Sequence, residues 1–127
     1  NRTEARRWAE VAHRELVKQI REAPADPQRP VLNGLALAVL GRKEDALASI
    51  QRGLDNAGKL PDAYANPYFE SVAIRGWILL GEYGKALDML ESVMTRPFYM
   101  SSAWLRVDPM FTPLKGNPRF EKLAGTS

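Results

Sequence analysis

The sequence predicts an all-α fold of antiparallel helix hairpins stacked side by side, and three observations predict it. Landmarks recur at a single offset: Asp26-Pro27 against Asn66-Pro67, Leu40-Gly41 against Leu80-Gly81, and Ala46-Leu47 against Ala86-Leu87 all stand forty residues apart. Apolar residues between the landmarks keep helical spacing, with Leu32, Leu35, Ala36 and Val39 in one unit and Val72, Ile74, Trp77 and Ile78 in the other. A glycine lies in the middle of each unit, where one helix must end and the next begin. The 127 residues, 45% apolar, suit a single domain. A chain of this size buries roughly two-thirds of its unfolded surface and needs no disulfide or structural metal to be stable.

The first element is a long helix over residues 3–22, with Ala5, Trp8, Ala9, Ala12, Leu16 and Ile20 along one stripe. It has no hairpin partner of its own, and its apolar stripe is expected to cover the front of the first unit. That unit spans residues 26–65. Asp26 supplies an acceptor for the open N-H groups of a helix start, and Pro27 presets the backbone of its first turn. Pro30 leaves two starts open, at Pro27 or after Arg29. Gly41 closes this helix by reaching positive φ without a steric penalty. A second helix follows with Ala46, Leu47, Ile50 and Leu54 on one face, stopped by Gly58 and Pro61.

The second unit spans residues 66–104 and repeats the plan. Asn66-Pro67 starts it, Gly81 turns it, and Ala86, Leu87, Leu90, Val93 and Met94 form the inner face of its second helix up to Pro97. Residues 105–127 change character: Pro109, Pro113, Gly116 and Pro118 break the chain into short pieces carrying Met110, Phe111, Leu114, Phe120 and Leu123. They are expected to form a capping segment with a short helix beginning at Asn117-Pro118. The whole, residues 1–127, reads as one domain of a larger protein.

These residues resemble the tetratricopeptide repeat family, whose pattern places a small residue in the first helix, Gly at the turn, then Ala, a large apolar residue, another small residue and Pro. Unit one carries it in Gly34, Leu37, Gly41, Ala46, Ile50, Gly53 and Pro61. Unit two carries Trp77, Gly81, Ala86, Leu90 and Pro97 but has Ile74 and Val93 at the two small positions. The forty-residue offset exceeds the roughly 34 residues usual for that family, which places extra residues around Gly58 to Asn66. The run from Leu105 to Leu123 is similar to the ending of bacterial repeat regions attached to serine/threonine kinases, adenylate-cyclase-like proteins and winged-helix regulators. The resemblance implies a short right-handed superhelical array of tetratricopeptide type. It also implies a non-catalytic scaffold that binds protein or peptide within a bacterial signalling or regulatory protein.

The residues themselves supply no chemistry that points elsewhere. Neither Gly41-Arg42-Lys43-Glu44 nor Gly81-Glu82-Tyr83-Gly84-Lys85 makes a phosphate-binding loop. His13 is the sole histidine and there is no cysteine, so a zinc site lacks ligands; His13 reads as a surface or half-buried side chain. Ser71, Ser92, Ser101 and Ser102 stand in no nucleophile context, and Glu44, Asp45, Glu82, Asp88 and Glu91 read as solvated helix surface. No enzyme activity and no cofactor are expected. Trp8, Trp77 and Trp104 are expected to fill the core. The net charge of +3 comes with acidic residues interleaved among the basic ones, so nucleic-acid binding is not expected. The apolar stretches are too short for membrane insertion. The absence of cysteine fits a reducing or an oxidising compartment, cytoplasm or periplasm, with the cytoplasm favoured.

The resemblance also places a candidate peptide groove on the first helices of the hairpins: Gln28, Val31, Leu35 and Val39 in unit one, Tyr68, Ser71, Arg75 and Ile78 in unit two. Arg75 interrupts an apolar helix, and such a charge must reach water, a partner's acid or a carboxylate of this chain. A salt bridge to the tail is one reading; an anchor for a peptide's carboxylate, with Tyr68 beside it, is the other. A tail that filled the groove with Phe111, Leu114 or Phe120 would favour a structural role, with homodimerisation as the alternative to peptide binding.

Overall fold

The computed structural model describes residues 1–60, 67–95 and 102–125; in 67–69 it describes the backbone alone. Among them every regular element is helical: α1 (Arg2–Glu22), α2 (Gln28–Val39), α3 (Lys43–Gly58), α4 (Pro67–Leu79), α5 (Tyr83–Val93), α6 (Ser102–Val107), a 3-10 helix (Pro109–Leu114) and α7 (Pro118–Ala124). The all-α class read from the sequence is therefore that of the protein.

Both hairpin turns are built in the same way. Gly41 and Gly81 have φ of 78° and 76°. Arg42 N-H reaches Leu37 C=O (3.0 Å) while Gly41 N-H reaches Ala38 C=O (3.0 Å), and Glu82 N-H reaches Trp77 C=O (2.8 Å) while Gly81 N-H reaches Ile78 C=O (3.1 Å). These paired bonds satisfy carbonyls that a helix end leaves open, and they require a left-handed residue between them. Arg42 and Glu82 then serve directly as the caps of α3 and α5, so only residues 40–42 and 80–82 separate the helices of each hairpin. A Lys43–Glu82 ion pair (3.6 Å) links the two turn ends.

α2 starts at Gln28 with Pro30 inside its first turn, which settles the start that the sequence left open. The Asp26 carboxylate accepts from Arg29 N-H at 2.7 Å, the capping role its position suggested. Asn66, its counterpart in unit two, lies outside the described residues, as do Pro61 and Pro97. α2 packs on α1, on α3 and on α4, so the first helices of the two hairpins lie side by side.

The two hairpins differ in closeness, and two glycines are the cause. A Cβ on Gly34 would lie 2.5 Å from Ile50 Cγ1, and one on Gly53 would lie 2.6 Å from Pro27 C=O and collide with Val31. α2 and α3 can meet this closely only without side chains there. At the equivalent places in unit two stand Ile74 and Val93, both fully buried, and α4 and α5 are correspondingly less intimate. A core of Val31, Ile50, Ile74, Trp77, Leu87 and Leu90 runs between the units and continues into the tail through Leu105, Phe111, Leu114 and Phe120.

Candidate functional site

The tail, as far as it is described, does not occupy the concave face. Phe111, Leu114 and Phe120 are all buried, but they pack as an end cap, with the 3-10 helix against α4 and α7 against α5. Trp104 meets Phe111 edge-on (4.5 Å between centroids), and Phe111 meets Phe120 at 5.8 Å. Arg119 fastens α7 to α5: its guanidinium donates to Glu91 at 2.6 and 3.0 Å and to Asp88 at 2.7 Å. These hydrogen bonds from Arg119 hold the Glu91 carboxyl below the usual carboxylate range and push the guanidinium's own pKa further up. Arg106 and Ser102 on α6 donate to the carbonyls of Ala124 (2.7 Å) and Leu123 (3.0 Å), closing the tail on itself.

What remains beside the tail is a groove of about 550 Å³. Ala5 and Trp8 of α1 form one wall; Leu32, Leu35 and Val39 of α2 with Ser71, Val72, Arg75 and Leu79 of α4 form the floor; Trp104, Asp108 and Met110 form the other wall. Of the positions read from the sequence, Leu35, Val39, Ser71 and Arg75 come together here. Val31 and Ile78 are buried in the core instead, 0% and 6% exposed, because their faces of α2 and α4 turn toward neighbouring helices. Gln28 is half-buried at the start of α2, away from the groove. The Tyr68 side chain lies outside the described residues.

The forty-residue offset explains the character of the floor. Leu35 and Arg75 are equivalent positions, as are Val39 and Leu79. In unit one α1 packs on α2, and Leu35 is 8% exposed. Leu79 is 56% exposed, and Arg75 is exposed without a hydrogen bond or ion pair among the described residues. Among the described residues the salt bridge to the tail is thus not formed. Asp108, the tail carboxylate that lines the same groove, instead accepts from Trp104 Nε1-H (3.1 Å) and from Met110 N-H (2.9 Å).

One tryptophan departs from the core expectation. Trp77 is buried and Trp104, half-buried on a groove wall, packs against the core, but Trp8 is 45% exposed on the other wall. α1 buries only the narrow stripe of Ala9, Leu16 and Ile20, since it packs mainly on one helix, and Trp8 falls at its edge. Asp108 and Met110 were also missed as lining, because nothing local reveals where the tail docks. His13 is half-buried as expected: its Nδ1 lies 2.8 Å from Asn33 Oδ1, tying α1 to α2. Among the described residues no group of three or more acidic or histidine side chains is placed to hold a metal ion, and no helix is long and apolar enough to cross a membrane.

Comparison with known proteins found no matching family model, no curated relative and no solved structure of significant similarity.

Proposed function

We propose that this chain is a non-catalytic helical scaffold module that binds a protein or peptide segment in the groove between α1, α2, α4 and the tail, as part of a larger bacterial signalling or regulatory protein. One observation carries the reading: Arg75, unpaired among the described residues, and the exposed Trp8 and Leu79 share an open concave surface that the tail walls without filling. A guanidinium beside exposed aromatic and aliphatic groups is the composition of a binding hot spot. The resemblance to tetratricopeptide repeats supports the same face.

The test is selection of a random peptide library on the immobilised chain, followed by fluorescence titration of the selected peptides. Trp8 and Trp104 report from opposite walls. Peptides whose binding is lost in Leu79→Glu, a change at an exposed position, support the reading. Peptides indifferent to Leu79→Glu, or none above background, refute it.

A second reading, homodimerisation, is favoured by the exposure of Trp8 and of Val11, 62% exposed, on α1. Light scattering over a concentration series separates the two: a monomer at all concentrations removes the second, and a dimer broken by Val11→Asp supports it.

A further inference from the structure

We infer that the groove's occupant is an acidic-apolar segment of a partner protein, whose carboxylates meet Arg75 and the arginines at the start of α1 while its apolar side chains lie on the remaining surface. This rests on the groove being a binding site and adds the chemistry of what fills it.

The charges along the groove are uneven. Beyond Val39 and Ala5 it continues into a second hollow of about 420 Å³ lined by Arg2, Thr3 and Arg6 at the start of α1. Arg75 lies on the floor one helical turn before Leu79, at the same end. Three guanidiniums therefore border one end. Arg2 and Arg75 have no ion pair among the described residues, and Arg6 has only a loose contact with Glu10 (3.8 Å), both side chains more than half exposed. A pair so exposed holds its cation weakly, so Arg6 can turn to a ligand.

Among the described residues the only carboxylate lining the groove is Asp108, and both its oxygens already accept hydrogen bonds, from Trp104 Nε1-H and Met110 N-H. Most of the remaining lining is apolar, with Trp8, Leu32, Leu35, Leu79, Trp104 and Met110. A cationic segment would place its charge against Arg75 with no carboxylate free to receive it. A wholly apolar segment would cover the Arg75 guanidinium, at a desolvation cost with nothing to offset it. An acid over Arg75 meets a planar donor able to hold it in a two-bond fork. Complementarity of this kind decides which partner is accepted more than how tightly it is held.

The experiment sequences the peptides selected above and titrates them against the chain, Arg75→Glu and Arg75→Ala, with thermal melting of each variant to show that it folds. The expected result is enrichment of Asp and Glu next to apolar residues, binding about tenfold weaker to Arg75→Ala, weaker still to Arg75→Glu, and weakened by added salt. A spin label on the acidic end of a selected peptide should broaden residues of α1's first turns. Peptides that depend on Leu79 but carry no acidic enrichment, or bind Arg75→Glu equally well, overturn this inference and leave the groove reading standing. No groove-dependent peptide at all overturns both.

Discussion

Replacing Gly53 by Ala separates two opposed effects whose sizes are known, and the structure decides which wins. In an open helix the exchange gains up to about 1 kcal/mol, since Ala is the better helix former. At this site the new methyl would lie 2.6 Å from Pro27 C=O, 3.1 Å from Val31 N and in collision with Val31 Cγ2. Carbon and oxygen in ordinary contact stay more than about 3.2 Å apart, so α3 must retreat from the start of α2 by roughly half an ångström. Pro27 cannot yield easily, because Asn56 Nδ2 ties α3 to the adjoining loop through the carbonyls of Pro24 and Asp26, both at 3.0 Å. Overpacking of this kind costs about 1–3 kcal/mol or more, and backbone contacts put Gly53 at the upper end. The net expectation is a loss of about 2 kcal/mol, a fall in melting temperature of roughly 8 °C, read by circular dichroism. Gly84→Ala is the internal control: nothing lies within 4 Å of its added methyl, so it should be neutral or slightly stabilising. If Gly53→Ala melts no lower than Gly84→Ala, the close approach of α2 and α3 is not as described.

Further expectations follow from the turns, the polar contacts and the second hairpin. Gly41→Ala and Gly81→Ala should each cost about 1–2 kcal/mol from positive φ alone, since no atom lies within 4 Å of the added methyl, and the two losses should add in the double variant when measured by urea unfolding. His13→Ala strips Asn33, 5% exposed, of its 2.8 Å partner, so a loss of about 1–3 kcal/mol is expected, mostly recovered in a double variant with Asn33→Leu. Ile74→Ala should cost about 2–5 kcal/mol, because α4 and α5 are held apart by this buried side chain and cannot close up as the glycine-lined pair does. The Glu91 carboxyl is depressed by Arg119, so its contribution is complete above the ordinary carboxylate range and disappears as pH falls through the depressed value. The unfolding midpoints of the protein and Arg119→Gln should therefore differ at neutral pH and converge in strong acid and in high salt; a gap that persists in acid would show that Arg119 acts by packing.

The parts of this molecule legible in the sequence are those set locally. Gly41 and Gly81 announced their turns because only a left-handed residue allows the two crossed bonds that end α2 and α4. Asn117-Pro118 announced α7 for a similar reason, its side chain accepting from Arg119 N-H at 2.9 Å. Gly34 and Gly53 were recognised as small positions, but the atoms they make room for became visible only with α2 laid against α3. The site was half legible. The resemblance to the repeat family pointed to Leu35, Val39, Ser71 and Arg75, whereas Trp8, Leu79 and the tail wall depend on which helix covers which. Arg119 joins residues 88, 91 and 119, a contact for which no spacing rule exists.

The repeat's two ends are covered in different ways, and this difference is what leaves a groove. On the unit-one side a single long helix lies along α2 and buries Ala9, Leu16 and Ile20 against it. On the unit-two side the cover is a folded tail that spends its aromatic residues, Phe111 and Phe120, on the end of the core formed with α4 and α5. Arg75 stands at the position equivalent to Leu35, and the tail leaves it exposed beside Leu79. An element covering that face would bury the guanidinium at a cost of several kcal/mol unless it brought an acid of its own. The residue choice and the shape of the tail therefore agree on an exposed surface.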